Sequence, residues 1–138
     1  MRWRHGRRDA IVPLFLFVAV AIEFALKLAL SHPAPPDDRV RTVALLPFLH
    51  VPLANSFPSG HVLRTTFLVA IARGVPWWIS VTLVVLMVVS RVYLAEHWLS
   101  DCIGGLLIGL VVAGVAFATV GQSEDRTPIA RPGATRRR

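Results

Sequence analysis

The chain has 138 residues, 54% of them hydrophobic and 17% charged, with a formal net charge of +7. A soluble domain of this length does not need that much apolar material to fill one core, so the composition points to a membrane protein. Nor does the positive charge indicate nucleic acid. Arg2, Arg4, Arg7 and Arg8 precede the first apolar run and Arg126, Arg131, Arg136, Arg137 and Arg138 follow the last, the pattern that membrane insertion produces.

Residues 1–9 form a basic N-terminus. The first predicted helix covers residues 10–30, with Glu23 and Lys27 as its only charges, close to the roughly 20 residues that cross about 30 Å of hydrocarbon. It is long for a signal-peptide core and Ser31-His32-Pro33 is a poor cleavage site, so it is read as a mature helix. Glu23 and Lys27, at i and i+4, are expected to pair and so lower the cost of burying either charge, which leaves Lys27 open to a second use.

A breaker-rich loop follows, His32-Pro33-Ala34-Pro35-Pro36-Asp37-Asp38, because proline removes a backbone donor and biases its predecessor away from helix. Residues 43–53 are apolar but hold Pro47, His50 and Pro52 and are too short to span; they read as an interfacial or re-entrant piece. Pro58-Ser59-Gly60-His61 then turns into a helix with Ser59 as the expected N-cap. That helix, residues 62–72, is interrupted by Arg64. Gly74 and Pro76 mark a tight turn before an uncharged run at 75–89.

The last apolar run covers residues 102–120 and carries Gly105 and Gly109, a spacing suited to close helix packing within the bundle. Cys102, the single cysteine, reads as a packing residue. Residues 122–138 form a basic tail expected to be disordered. The chain is thus expected to be all-α, an integral membrane bundle of about four transmembrane helices within residues 10–121. Four crossings put both termini on one side, cytoplasmic by the positive-inside rule, and residues 31–60 and 90–101 outside. Trp77, Trp78 and Trp98 read as interfacial anchors.

Two strings on those outward segments carry the chemistry. In the first, Gly60 permits a close backbone approach, the amides around Ser59 and Gly60 at a helix start form an anion site, and His61 stands beside the anion. The second is Ser90-Arg91, five residues, His97, three residues, Asp101. If that stretch is helical, His97 and Asp101 share a face; the carboxylate fixes one ring nitrogen and the other is free to act as a nucleophile. Arg91 supplies a planar fork for phosphate oxygens. Such a cluster of ionisable groups at one membrane face is expensive without a use. His32 and His50 are assigned no role.

These strings resemble the second and third signature motifs of the type 2 phosphatidic acid phosphatase superfamily, lipid phosphatases that share an active site with vanadium haloperoxidases. The first motif of that family, lysine, six residues, then arginine-proline, is matched at Lys27 and Pro35 but holds Ala34 in place of the arginine. Arg39, Arg41 and Arg64 are the cations available to replace it. The family usually has six membrane helices. This chain has room for about four and lacks the N-terminal pair, so a homo-oligomer is one route to a completed bundle.

The resemblance implies catalysis through a phosphohistidine. His97 is the nucleophile, Asp101 its orienting partner, and His61 the general acid and later base. Lys27, Ser59, Gly60, Ser90 and Arg91 bind phosphate oxygens. No metal and no cofactor are implied, since positive side chains take the part of metal ions. The partners implied are the bilayer and a lipid phosphate or pyrophosphate at the outer leaflet: a polyprenyl (pyro)phosphate, phosphatidic acid or phosphatidylglycerophosphate. The rival readings are a catalytically degenerate homologue that binds lipid phosphates, and a structural or transport subunit of the membrane.

Overall fold

A computed structural model describes residues 8–41, 55–72 and 74–125. The segment 43–53 and most of the arginine-rich ends lie outside the described residues. Among the described residues four helices follow one another, α1 (Arg8–Ala29), α2 (Gly60–Ile71), α3 (Trp77–Tyr93) and α4 (Leu99–Asp125), with a 3-10 turn at Asp37–Arg39. No strand occurs among the described residues, so the all-α expectation holds. Of the four helices, one contains a stretch long and apolar enough to cross a membrane, Leu99–Thr119; α2 and α3 are apolar but have 12 and 17 residues.

The core lies where α1, α2 and α4 meet. Ala19 of α1, Leu63 and Phe67 of α2, and Val112, Ala113 and Ala116 of α4 are buried together, flanked by Phe15, Leu16, Ile22, Ala70, Ile71 and Ile108. Small residues on α4 make this possible. A Cβ on Gly105 would lie 2.5 Å from the carbonyl oxygen of Ser59, and one on Gly109 would lie 2.7 Å from that of Leu63. The two glycines therefore serve the crossing of α4 with α2 inside one chain, as their spacing predicts.

α3 buries no residue fully and lies at the periphery. Its faces, and those of α1 and α4, expose large apolar side chains: Phe17 is 75% exposed, Leu28 79%, Trp77 77% and Val111 65%.

The described ends of the α1 to α2 connection are joined through Asn55 and Ser56, which sequence reasoning passed over. Nδ2 of Asn55 donates to the carbonyl of Lys27 at 2.8 Å, one of the carbonyls left over at the end of α1, while its Oδ1 accepts the backbone N–H of His32 at 3.1 Å. The Ser56 N–H donates to His32 O at 2.8 Å, and an isolated antiparallel bridge pairs Pro33 with Asn55. Trp98 Nε1 adds a bond to Pro33 O at 3.0 Å. The loop that begins at His32 is thereby held against the start of α4.

Candidate active site

The start of α2 and the start of α4 are joined by a main-chain bond, Ser59 N–H to Asp101 O at 2.9 Å. Ser59 occupies the N-cap position of α2 in extended backbone, as expected, but its hydroxyl makes no capping bond and lies beside Cys102. Its amide is likewise engaged by Asp101, so of the donors at this helix start those beyond Ser59 are the ones left for an anion. Gly60 is needed for a neighbour within the protein: a Cβ there would meet the Glu23 carboxyl atoms at 2.0–2.3 Å.

His97 and Asp101 are brought together, though not by one continuous helix. α3 ends at Tyr93 and α4 starts at Leu99, so residues 94–98 form a connection, with Ala95 at φ 54°. Positive φ at a residue with a Cβ is the kind of local turn that ends a helix. His97 sits just before α4 and Asp101 in its first turn. Asp101 Oδ2 accepts the Trp98 N–H at 2.9 Å, a carboxylate in the first turn reaching back to the residue that precedes the helix. The same oxygen lies 3.5 Å from His97 Nδ1, longer than a well-formed hydrogen bond, and Asp101 is fully buried.

Asp101 has a second histidine. His32 Nε2 lies 3.2 Å from Oδ1, with Ser100 Oγ 3.5 Å from the same nitrogen. The sequence assigned His32 no role, and the local string around it gives no signal. The bonds from Asn55, Ser56 and Trp98 that hold the loop bring it here.

Arg91, in the last turn of α3, donates through Nη1 to Glu96 and through Nε to Ser90 Oγ at 3.4 Å. The Ser90 hydroxyl itself donates to Met87 O at 2.8 Å, back into its own helix. His61, on the first turn of α2, is exposed and close enough to Arg91, Arg64, Glu96 and His97 for their charges to act on it. Lys27 is close enough to act on His97, and its Nζ is bonded to Glu23 at 3.0 Å, the ion pair that the i, i+4 spacing predicts. Arg64 joins the same carboxylate from α2 at 2.5 Å. Its spacing from His61, three residues on one helix, was the available signal for that placement.

The electrostatics favour an uncharged His97. Burial pushes its imidazole below the ordinary value of 6.5, although the Asp101 charge works in the opposite sense. A neutral ring with Nδ1 toward a carboxylate leaves Nε2 as the lone-pair nitrogen. The arrangement therefore offers a nucleophile, a second titratable ring nearby and three cations, which suits attack on an anionic phosphorus centre better than it suits acyl or hydride chemistry.

A family model described as the PAP2 superfamily matches residues 10–125. The Escherichia coli (strain K12) protein named "Putative undecaprenyl-diphosphatase YbjG" is 36% identical over 98 residues, covering 68% of this chain and 50% of that protein. The chain thus spans about half the length of this curated relative. No solved structure matches it.

Proposed function

The chain belongs to the PAP2 superfamily, and from that premise we propose that it is a membrane lipid phosphate or pyrophosphate phosphohydrolase working through a phosphohistidine on His97. The observation that carries the reading is the convergence of His61, Arg91, His97 and Asp101, drawn from three helices and one connection, at one end of the molecule.

In the first step Nε2 of His97 attacks phosphorus and the bond from phosphorus to the leaving oxygen breaks. The proton on Nδ1 stays toward Asp101, which stabilises the positive charge that develops on the ring. His61, protonated, gives its proton to the departing alkoxide or phosphate. In the second step neutral His61 takes a proton from water, the water oxygen attacks phosphorus, and the N–P bond breaks to release phosphate and restore His97. Arg91 and Lys27, with the N–H groups at the start of α2, balance charge on the phosphoryl oxygens.

The substrate class is a lipid phosphate, and the printed name of the E. coli relative favours a polyprenyl diphosphate over phosphatidic acid or phosphatidylglycerophosphate. All four helices are read as membrane-embedded, with both termini cytoplasmic and the site on the outer side. The large apolar residues exposed on α1, α3 and α4 support this, because a monomer in water rarely leaves such a surface uncovered. Phosphate release from a panel of lipid phosphates by the purified protein and by His97→Ala tests the proposal. Release by the wild type alone is the expected result; tight lipid phosphate binding with no turnover on any head group would favour the degenerate reading, which Ala34 keeps in view.

A further inference from the structure

Glu23 is a carboxylate of α1 with 5% of its surface exposed, and it is met from two helices: by Lys27 Nζ at 3.0 Å and Arg64 Nη1 at 2.5 Å. A charge this deep needs partners, and here one negative charge faces two positive ones. The pairing therefore holds the cations in place without cancelling them. Its third neighbour is Gly60, whose missing Cβ leaves the space that the carboxyl group fills. Glu23 thus lies directly against the backbone where α2 begins.

Arg64 stands three residues beyond His61 on α2 and so shares its face. Its side chain keeps 34% exposure against 11% for Lys27, and Glu23 engages Nη1, one nitrogen of a guanidinium with five N–H donors. Arg41 is directed elsewhere: it donates to Tyr93 O at 3.4 Å and its guanidinium lies 4.8 Å from the centre of the Tyr93 ring. At the position where the first motif would hold an arginine, Ala34 brings no charge.

We propose that Arg64 is a phosphate-binding residue of this site, and that Glu23 is the positioning residue that aims it, with Lys27, at a phosphate held between His61 and His97. The inference rests on the phosphohydrolase reading given above and adds to it a cation from α2 and the buried carboxylate that orients it.

The test uses the full chain purified in detergent, with inorganic phosphate titrated by calorimetry and with KM and kcat measured for lipid phosphate release. Arg64→Ala weakens phosphate binding and raises KM by about ten- to a hundredfold, the loss expected for a charge-assisted contact. Arg64→Lys recovers part of it. Glu23→Gln weakens binding as well, and adding Arg64→Ala to it costs far less than in the wild type, as two residues acting through one contact require.

Unchanged phosphate affinity and KM in a folded Arg64→Ala protein, or in Arg64→Gln where the alanine variant does not fold, would overturn the assignment. Full additivity of the Glu23 and Arg64 effects would overturn the positioning role. Arg64-dependent phosphate binding by a wild type that hydrolyses no lipid would sink the phosphohydrolase reading and leave Arg64 assigned.

Discussion

His32 Nε2 stands 3.2 Å from Oδ1 of Asp101, the carboxylate oxygen that His97 does not face. Asp101 is thus flanked by two imidazoles while its other oxygen also holds the Trp98 N–H. The three contacts differ in weight. The His97 side chain is 11% exposed and the Trp98 bond is partly buried, whereas the His32 side chain is 41% exposed, so water screens its share most.

Replacing Asp101 by Asn is therefore expected to lower kcat for phosphate release by about 10²- to 10⁴-fold, the range for a group that fixes the tautomer of a catalytic histidine. His32→Ala is expected to lower it by no more than about fivefold, the scale of a partly exposed ion pair. Equal losses in the two variants would contradict this ranking.

The pH profile follows from the burial of His97. In the proposed mechanism protonation removes the attacking lone pair, so kcat/KM falls as pH drops through the His97 pKa, which burial lowers from 6.5. The acid limb is accordingly expected on the acid side of 6.5. In Asp101→Asn the charge that raises the pKa is gone, and the residual activity should show the limb moved further to acid. A limb above pH 6.5 in the wild type argues against His97 as the group titrating there.

Glu96 holds the Arg91 guanidinium that a phosphate would need. Its carboxylate competes with phosphate for that charge, and Glu96→Gln, which keeps the shape and removes the charge, is expected to lower KM several-fold. Steady-state kinetics decide it; a raised KM would mean that Glu96 serves to aim Arg91.

Gly105→Ala places a methyl group 2.5 Å from the Ser59 carbonyl, a backbone atom that cannot swing aside as a side chain tip can. The variant is expected to lose about 1–3 kcal/mol of stability by overpacking. A detergent melt should show this as a lowered Tm, together with reduced activity, because Ser59 moves with its helix. Gly114→Ala serves as the comparison, since a Cβ there meets nothing within 4 Å.

Where proximity depended on fixed spacing, the sequence was readable. Pro58 to His61, and Arg91 with His97 and Asp101, are short strings, and the structure brings Ser59, His61, Arg91, His97 and Asp101 near one another. The glycines of α4 were readable for the same reason, their pairing being a matter of helical period. What escaped was set by long-range closure. His32 reaches Asp101 because Asn55 clasps the loop, and neither residue signals this in its own neighbourhood. The Glu23 to Lys27 pair was visible at i, i+4, but its extension to Arg64 needed the packing of α1 against α2. The shared face of His97 and Asp101 was conditional on a helix through residues 94–98; the turn at Ala95 breaks α3 from α4, so His97 enters the site from a connection.

The bond from Ser59 N–H to Asp101 O uses main-chain atoms on both sides. The start of α2, which carries His61, and the start of α4, which carries Asp101, therefore share one mechanical joint, and of the side-chain exchanges at these positions proline at 59 alone removes its donor. Ser59→Ala and Asp101→Asn both leave this joint in place. A rate lost in either variant consequently reports missing chemistry at an intact spacing, which makes the pair an internal ruler against which other substitutions in the site can be read.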